Sequence, residues 1–184
     1  SFLSAMTYGA VPVPLMHEFK SSNIHHLVNH SEAKILFVDE VIWEGLSEVE
    51  MPNLLAIIQV NTFKLLYSAN DIITETREHL NELFGRKYPM DFTPESISYY
   101  EDSSDELAII NYASGTSGFS KGVVIPYRAL RSNIEFAYKV LPQINNTSRV
   151  VSMLPSAHMY GLMFEVLYQL CVGSHVFFLS RLPS

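Results

Sequence analysis

The run Tyr112-Ala113-Ser114-Gly115-Thr116-Ser117-Gly118-Phe119-Ser120-Lys121-Gly122 decides how the chain is read. One apolar stretch, Leu107-Ala108-Ile109-Ile110, leads into it, and another, Val123-Val124-Ile125, leaves it. The run holds three glycines, four small hydroxyl side chains and one lysine. Glycine lets backbone N–H groups turn inward with no side chain in the way, and successive inward N–H groups form an anion-binding concavity. Ser114, Thr116, Ser117 and Ser120 add hydroxyl donors, and Lys121 adds a full positive charge. This inventory suits a polyphosphate cradle, with Ser114, Gly115, Thr116, Ser117, Gly118 and Lys121 as its members. The Walker spacing is absent, because Gly118 is followed by Phe119-Ser120-Lys121-Gly122 and then by a β-like run instead of a helix. The reading is a strand–loop–strand phosphate clamp. The alternative, a plain Gly/Ser surface turn, does not explain the two flanking apolar strands or the lysine at the exit.

The second informative stretch is Leu154-Pro155-Ser156-Ala157-His158-Met159-Tyr160-Gly161-Leu162, which follows a strand and opens an apolar helix. A helix N-terminus favours anions and carboxylates, and a histidine there can donate to a bound group. His158 is therefore expected to face a cleft walled by residues 161–164. Its bare alternative is a structural histidine. His25, His26 and His30 have helical spacing but no acidic ligand motif beside them; they read as a solvated face, and no metal site is expected. Cys171, in an apolar helix with no nearby histidine, reads as a core residue.

Working outward, Phe2, Leu3 and Met6 have helical spacing up to Gly9, and two prolines mark 11–15 as a short extended segment. A helix from Ser21 or Ser22 carries Ile24, Leu27 and Val28; strands follow at 34–38 and 54–60, with a short helix around Trp43 between them. Ile72, Ile73, Thr76, Leu80, Leu83 and Phe84 mark one longer helix, with Gly85 as its stop. The run 101–106 carries four carboxylates and reads as a solvated connection. Past the loop come a helix with Leu130, Ile134, Ala137 and Leu141 on one face, a strand at 149–154, an apolar helix over 161–171 closed by Gly173, and a strand at 175–179. Strands alternating with helices predict an α/β fold, layered sheets with helices on their faces and mainly parallel pairing. We divide it into a first portion, 1–100, and a phosphate-loop portion, 101–184.

At 184 residues and 48% hydrophobic, the chain is long and apolar enough for a sizeable core. Its formal net charge of −7 disfavours a general nucleic-acid binder. A single cysteine excludes an internal disulfide framework and fits a reducing, cytoplasmic compartment. No run reaches the roughly 18 apolar residues of a membrane span.

Ser114-Gly115-Thr116-Ser117-Gly118-Phe119-Ser120-Lys121-Gly122 resembles the signature loop of the adenylate-forming (AMP-binding) enzymes, Ser-Gly-Thr-Thr-Gly-x-Pro-Lys-Gly. Ala113 stands where threonine or serine is usual, and Ser120 where proline is usual. The stretch from Gly9 to Leu15 and the helix–strand pair after it extend the resemblance. Leu154 to Gly161 resembles the second motif, with Ala157 in place of the usual aromatic. The chain is most similar to the long-chain fatty acid CoA ligases, and reads as part of their large N-terminal domain. The resemblance implies a two-step reaction on a fatty acid, ATP with Mg, and CoA. It implies that the loop holds the β- and γ-phosphates and that His158 faces the acyl group and forming adenylate. It also implies peripheral contact with membranes through the substrate. Partners expected downstream, a Tyr-Gly-x-Thr-Glu segment among them, are missing before Ser184. The chain is thus expected to be a fragment, inactive alone, that associates with itself through uncovered apolar surface. Two rivals stay open: a non-catalytic nucleotide or acyl-ligand binding module, and an adenylation domain for amino or aryl acids.

Overall fold

The computed structural model describes residues 1–89, 92–113 and 121–179. The chain forms two compact units, Ser1–Gly9 with His17–Tyr100, and Ala10–Met16 with Glu101–Ser184.

In the first unit, helix α1 (Phe2–Tyr8) ends at Gly9, whose φ of 86° is left-handed. Tyr100 explains the glycine twice over. Its N–H donates to the Thr7 carbonyl at 2.9 Å, and its ring lies where a Cβ on Gly9 would be, 2.6 Å away. Helix α2 (Ser21–His30) buries Ile24, Leu27 and Val28. Strand β1 (Ile35–Val38) feeds the short helix α3 (Glu40–Trp43), capped by Asp39, which accepts from the Val41 N–H at 3.0 Å. Strand β2 (Ala56–Gln59) lies parallel to β1. Strand β3 (Leu65–Ser68) returns antiparallel to β2. Leu27, Met51, Leu54 and Ile57 form the centre of this core.

The predicted long helix is two helices, α4 (Asp71–Glu78) and α5 (Leu80–Lys87), broken at His79 with φ −95° and ψ 15°. Gly85 lies inside α5 instead of stopping it. No atom lies within 4 Å of the position its Cβ would take, so the helix passes through it at only the entropic cost of a glycine, and Arg86 and Lys87 favour the C-terminal dipole. Gly85→Ala is accordingly expected to stabilise the protein by about 0.4–1 kcal/mol, read as a higher urea midpoint; an unchanged or lower midpoint would count against this reading of α5.

In the second unit, the segment 10–16 runs beside strand β4 (Leu107–Ala113), where the Ile110 N–H donates to the Pro12 carbonyl at 3.2 Å. Strand β5 (Lys121–Pro126) pairs antiparallel with β4, Ala113 opposite Lys121. Helix α6 (Tyr127–Val140) buries Tyr127, Leu130 and Ala137. Its outer arginines meet the acidic run: Arg131 pairs with Asp102, and Arg128 with Asp105 at 3.2 Å. Such exposed pairs stabilise little. Strand β6 (Arg149–Ser152) lies parallel to β7 (His175–Phe178).

Between β6 and β7 the expected apolar helix winds first as a π-helix (Gly161–Leu167), then as α7 (Tyr168–Val172), stopped by Gly173 at φ 75°. Tyr168, 1% exposed, donates its phenol to the Leu141 carbonyl at 3.0 Å and meets Tyr138 edge-on. Cys171 is exposed, not in the core as its sequence context suggests. Tyr168 and Gln169 are the buried residues of α7, and Cys171 lies on its exposed flank.

The fold is α/β, with strands and helices alternating in each unit, but the pairing is mixed. The β2–β3 and β4–β5 pairs are antiparallel. Their connections, 60–64 and 114–120, are too short for the crossover of a dozen or more residues that parallel pairing needs.

Candidate functional site

Strands β4 and β5 flank the phosphate-loop sequence on both sides. Ser114, Gly115, Thr116, Ser117 and Gly118 lie outside the described residues; Lys121 is described, exposed, as the first residue of β5. Behind it, Tyr112 lies opposite Gly122 across the ladder, and its ring fills the glycine's side: a Cβ there would be 3.1 Å from the ring. The strand pair is thus braced next to Lys121.

One residue earlier, and on the opposite face of the strand, Asn111 interrupts an apolar run and is only 8% exposed. A buried amide without a partner costs about 1–3 kcal/mol. Asn111 avoids that by donating from Nδ2 to the Ala157 carbonyl at 3.0 Å. Ala157 immediately precedes His158, so the strand that leads into the phosphate loop holds the histidine loop.

The other end of that loop is held from the π-helix. Glu165 Oε2 accepts from the Ser152 hydroxyl at 2.8 Å and from the Met153 and Leu154 N–H groups, each at 2.9 Å. Gly161 packs where no side chain fits, since a Cβ would come 2.7 Å from the Pro155 carbonyl oxygen and 3.0 Å from Leu154 Cβ. Backbone on that side cannot yield cheaply. Gly161→Ala is expected to cost about 1–3 kcal/mol, measured by chemical unfolding; a neutral substitution would mean the loop is not packed on this turn.

His158 is exposed at the start of this helix. Its N–H donates to the Pro155 carbonyl and its carbonyl accepts from Leu162, both at 2.9 Å. Its ring Nδ1 accepts from the Tyr160 N–H at 3.3 Å, which leaves the proton on Nε2, the nitrogen turned away from the helix start. Of the expected cleft wall, Gly161, Leu162 and Met163 are buried, while Phe164 is half-buried against Tyr160, ring centroids 4.8 Å apart.

Asn111 and Glu165 escaped the sequence reading. Their signal was present: each is polar within an apolar run, asparagine being disfavoured in strands. The histidine cluster does not assemble into a centre. His25 Nε2 accepts from the Ser47 N–H at 3.0 Å, His26 and His30 rings are 5.9 Å apart, and among the described residues no group of three His, Cys, Asp or Glu could hold a metal ion. Among the described residues no helix is long and apolar enough to cross a membrane.

A family model described as AMP-binding enzyme matches residues 1–184. Long-chain-fatty-acid–CoA ligase 1 of Saccharomyces cerevisiae is 32% identical over 111 residues, 58% of this chain and 14% of that protein. 4-Coumarate–CoA ligase-like 6 of Arabidopsis thaliana is 26% identical over 187 residues, 98% of this chain and 30% of that protein. Among solved structures, ATP-bound MatB from Rhodopseudomonas palustris superposes with a TM-score of 0.73 at 19% identity, over 99% of this chain and 32% of that one. The chain therefore spans less than a third of the length of these proteins.

Proposed function

The chain belongs to the AMP-binding enzyme family, and from that premise we infer that it is part of an acyl-CoA synthetase that activates a long-chain fatty acid. The fatty acid carboxylate attacks the α-phosphorus of MgATP; a C–O–P bond forms and the bond to the β-phosphate oxygen breaks, giving acyl adenylate and pyrophosphate. The thiol of CoA then attacks the acyl carbon, AMP leaves, and the thiol proton passes to solvent. Magnesium enters bound to the phosphates of ATP, as part of the substrate.

Ser114, Gly115, Thr116, Ser117 and Gly118 offer donors to the β- and γ-phosphates, and Lys121 neutralises the charge that grows on departing pyrophosphate. Donors at a phosphate act where charge develops. His158 presents Nε2–H to the carboxylate and the forming adenylate. The observation that carries this assignment is the Asn111–Ala157 hydrogen bond, which joins the strand entering the phosphate loop to the residue before His158. The fatty acid itself rests on likeness to long-chain ligases. The likeness to a coumarate ligase-like protein over 98% of the chain supports a second reading, activation of an aryl acid. We place the enzyme in the cytoplasm, meeting membranes through its substrate. The longer protein covers apolar residues such as Val124 and Phe178, 67% and 63% exposed; a separate 184-residue chain would cover them by self-association.

The test is acid-dependent ATP–pyrophosphate exchange by the longer protein with a panel of acids. Exchange that peaks with long-chain fatty acids is expected. A preference for aryl acids selects the second reading, and ATP binding without exchange for any acid selects a binding module.

A further inference from the structure

The peptide unit between Ala157 and His158 is held from both sides. Its carbonyl accepts from Asn111 Nδ2 at 3.0 Å, and its N–H donates to the Pro155 carbonyl at 2.9 Å. A peptide unit is planar, so two hydrogen bonds on opposite edges fix the plane from which the His158 side chain departs. The ring is then fixed at Nδ1 by the Tyr160 N–H. Removing the Asn111 bond frees one edge of the plane, and the ring contact, at 3.3 Å, is the weakest link after it.

We propose that Asn111 is a positioning residue for His158, acting through the Ala157–His158 peptide to hold the imidazole in its Nε2–H tautomer and aimed outward. Three observations support it. Asparagine is disfavoured in strands, yet this one occupies a buried strand position. Departures from local preference of this kind gather at functional sites. Its side-chain hydrogen bond reaches 46 residues along the chain, to the residue adjoining His158, so an apolar residue would fit the strand but not hold the loop. Groups that fix the tautomer and orientation of an acting histidine tune its chemistry without touching the substrate.

The kinetic arm of the test rests on the functional reading above; the spectroscopic arm does not. In the longer protein, Asn111→Leu keeps the shape and removes the donor. With 15N-labelled histidine at about pH 8.5, where an ordinary imidazole is neutral, His158 of the wild type is expected to show one Nε2–H tautomer, and the variant a mixture. ATP–pyrophosphate exchange is expected to fall about 10–100-fold at saturating substrates, as when a group that orients an acting histidine is lost, with KM for ATP changed less than about twofold. Asn111→Leu added to His158→Ala is expected to cause no further loss, since residues acting as a unit are not additive. If Asn111→Leu does not fold, Asn111→Thr, whose hydroxyl is too short to reach Ala157, is expected to give the same pattern. Identical imidazole spectra in variant and wild type overturn the proposal, as do losses that multiply in the double variant. A wild type without exchange would overturn the functional reading alone, and the imidazole spectrum would still decide the role of Asn111.

Discussion

Lys121→Ala in the longer enzyme is expected to slow acid-dependent ATP–pyrophosphate exchange by about 10²–10³-fold, the roughly 2.7–4 kcal/mol lost when one transition-state donor is removed. The residue is exposed and opens β5. Its backbone partnership with Ala113 depends on main-chain groups, so the truncation removes charge and leaves the ladder in place. Unfolding midpoints should therefore match the wild type within about 0.5 kcal/mol, the usual range for surface substitutions. Lys121→Arg keeps the charge but spreads it over a planar fork, and is expected to recover only part of the rate. Exchange at the wild-type rate in Lys121→Ala would remove the lysine from the reaction. A parallel fall in rate and stability would assign it to the fold instead.

Glu165→Ala has the larger consequence for the fold. The carboxylate oxygen takes three hydrogen bonds, from Ser152 and from the backbone of Met153 and Leu154. Hydrogen bonds to charged groups contribute about 1.5–3 kcal/mol each, and a buried donor left unpaired costs about 1–3 kcal/mol. Ser152 is 3% exposed and would be left unpaired, whereas Met153 and Leu154 are exposed enough to find water. A loss of about 2–3 kcal/mol is expected from these terms, with Glu165→Gln, which keeps an acceptor oxygen but not the charge, losing about 1 kcal/mol. Urea unfolding of the two variants measures both. If Glu165→Gln proves as damaging as Glu165→Ala, charge and not geometry holds the β6 end.

Most strands were legible because their apolar runs are compact and bounded: Ile35–Val38, Ala56–Gln59 and His175–Phe178 appear as their sequences indicate. β3 was not, since Leu65–Ser68 is short, half-buried throughout and defined by its partner β2. The break at His79 was hidden because apolar periodicity continues across it, and local backbone angles carry no compositional mark. The π-helix was equally hidden, because an apolar run does not distinguish winding whose hydrogen bonds span one more residue. At the candidate site, motif chemistry points to Lys121 and His158, whose roles belong to the proposed function. The two residues that hold the histidine loop were not legible, because their role depends on Ala157 and on the end of β6, each brought near by the fold.

The passage of residues 10–16 into the second unit bears on how the protein is made. Pro12 emerges from the ribosome roughly a hundred residues before Ile110, the residue whose N–H it will accept. At about 5–20 residues per second, that interval is on the order of 5–20 s. Throughout it the segment is an apolar ribbon without its strand, open to wrong pairing. Pro12 and Pro14 lack the N–H groups such pairing would use. The prolines thus work against mispairing of the segment until β4 has been translated and the second unit can close.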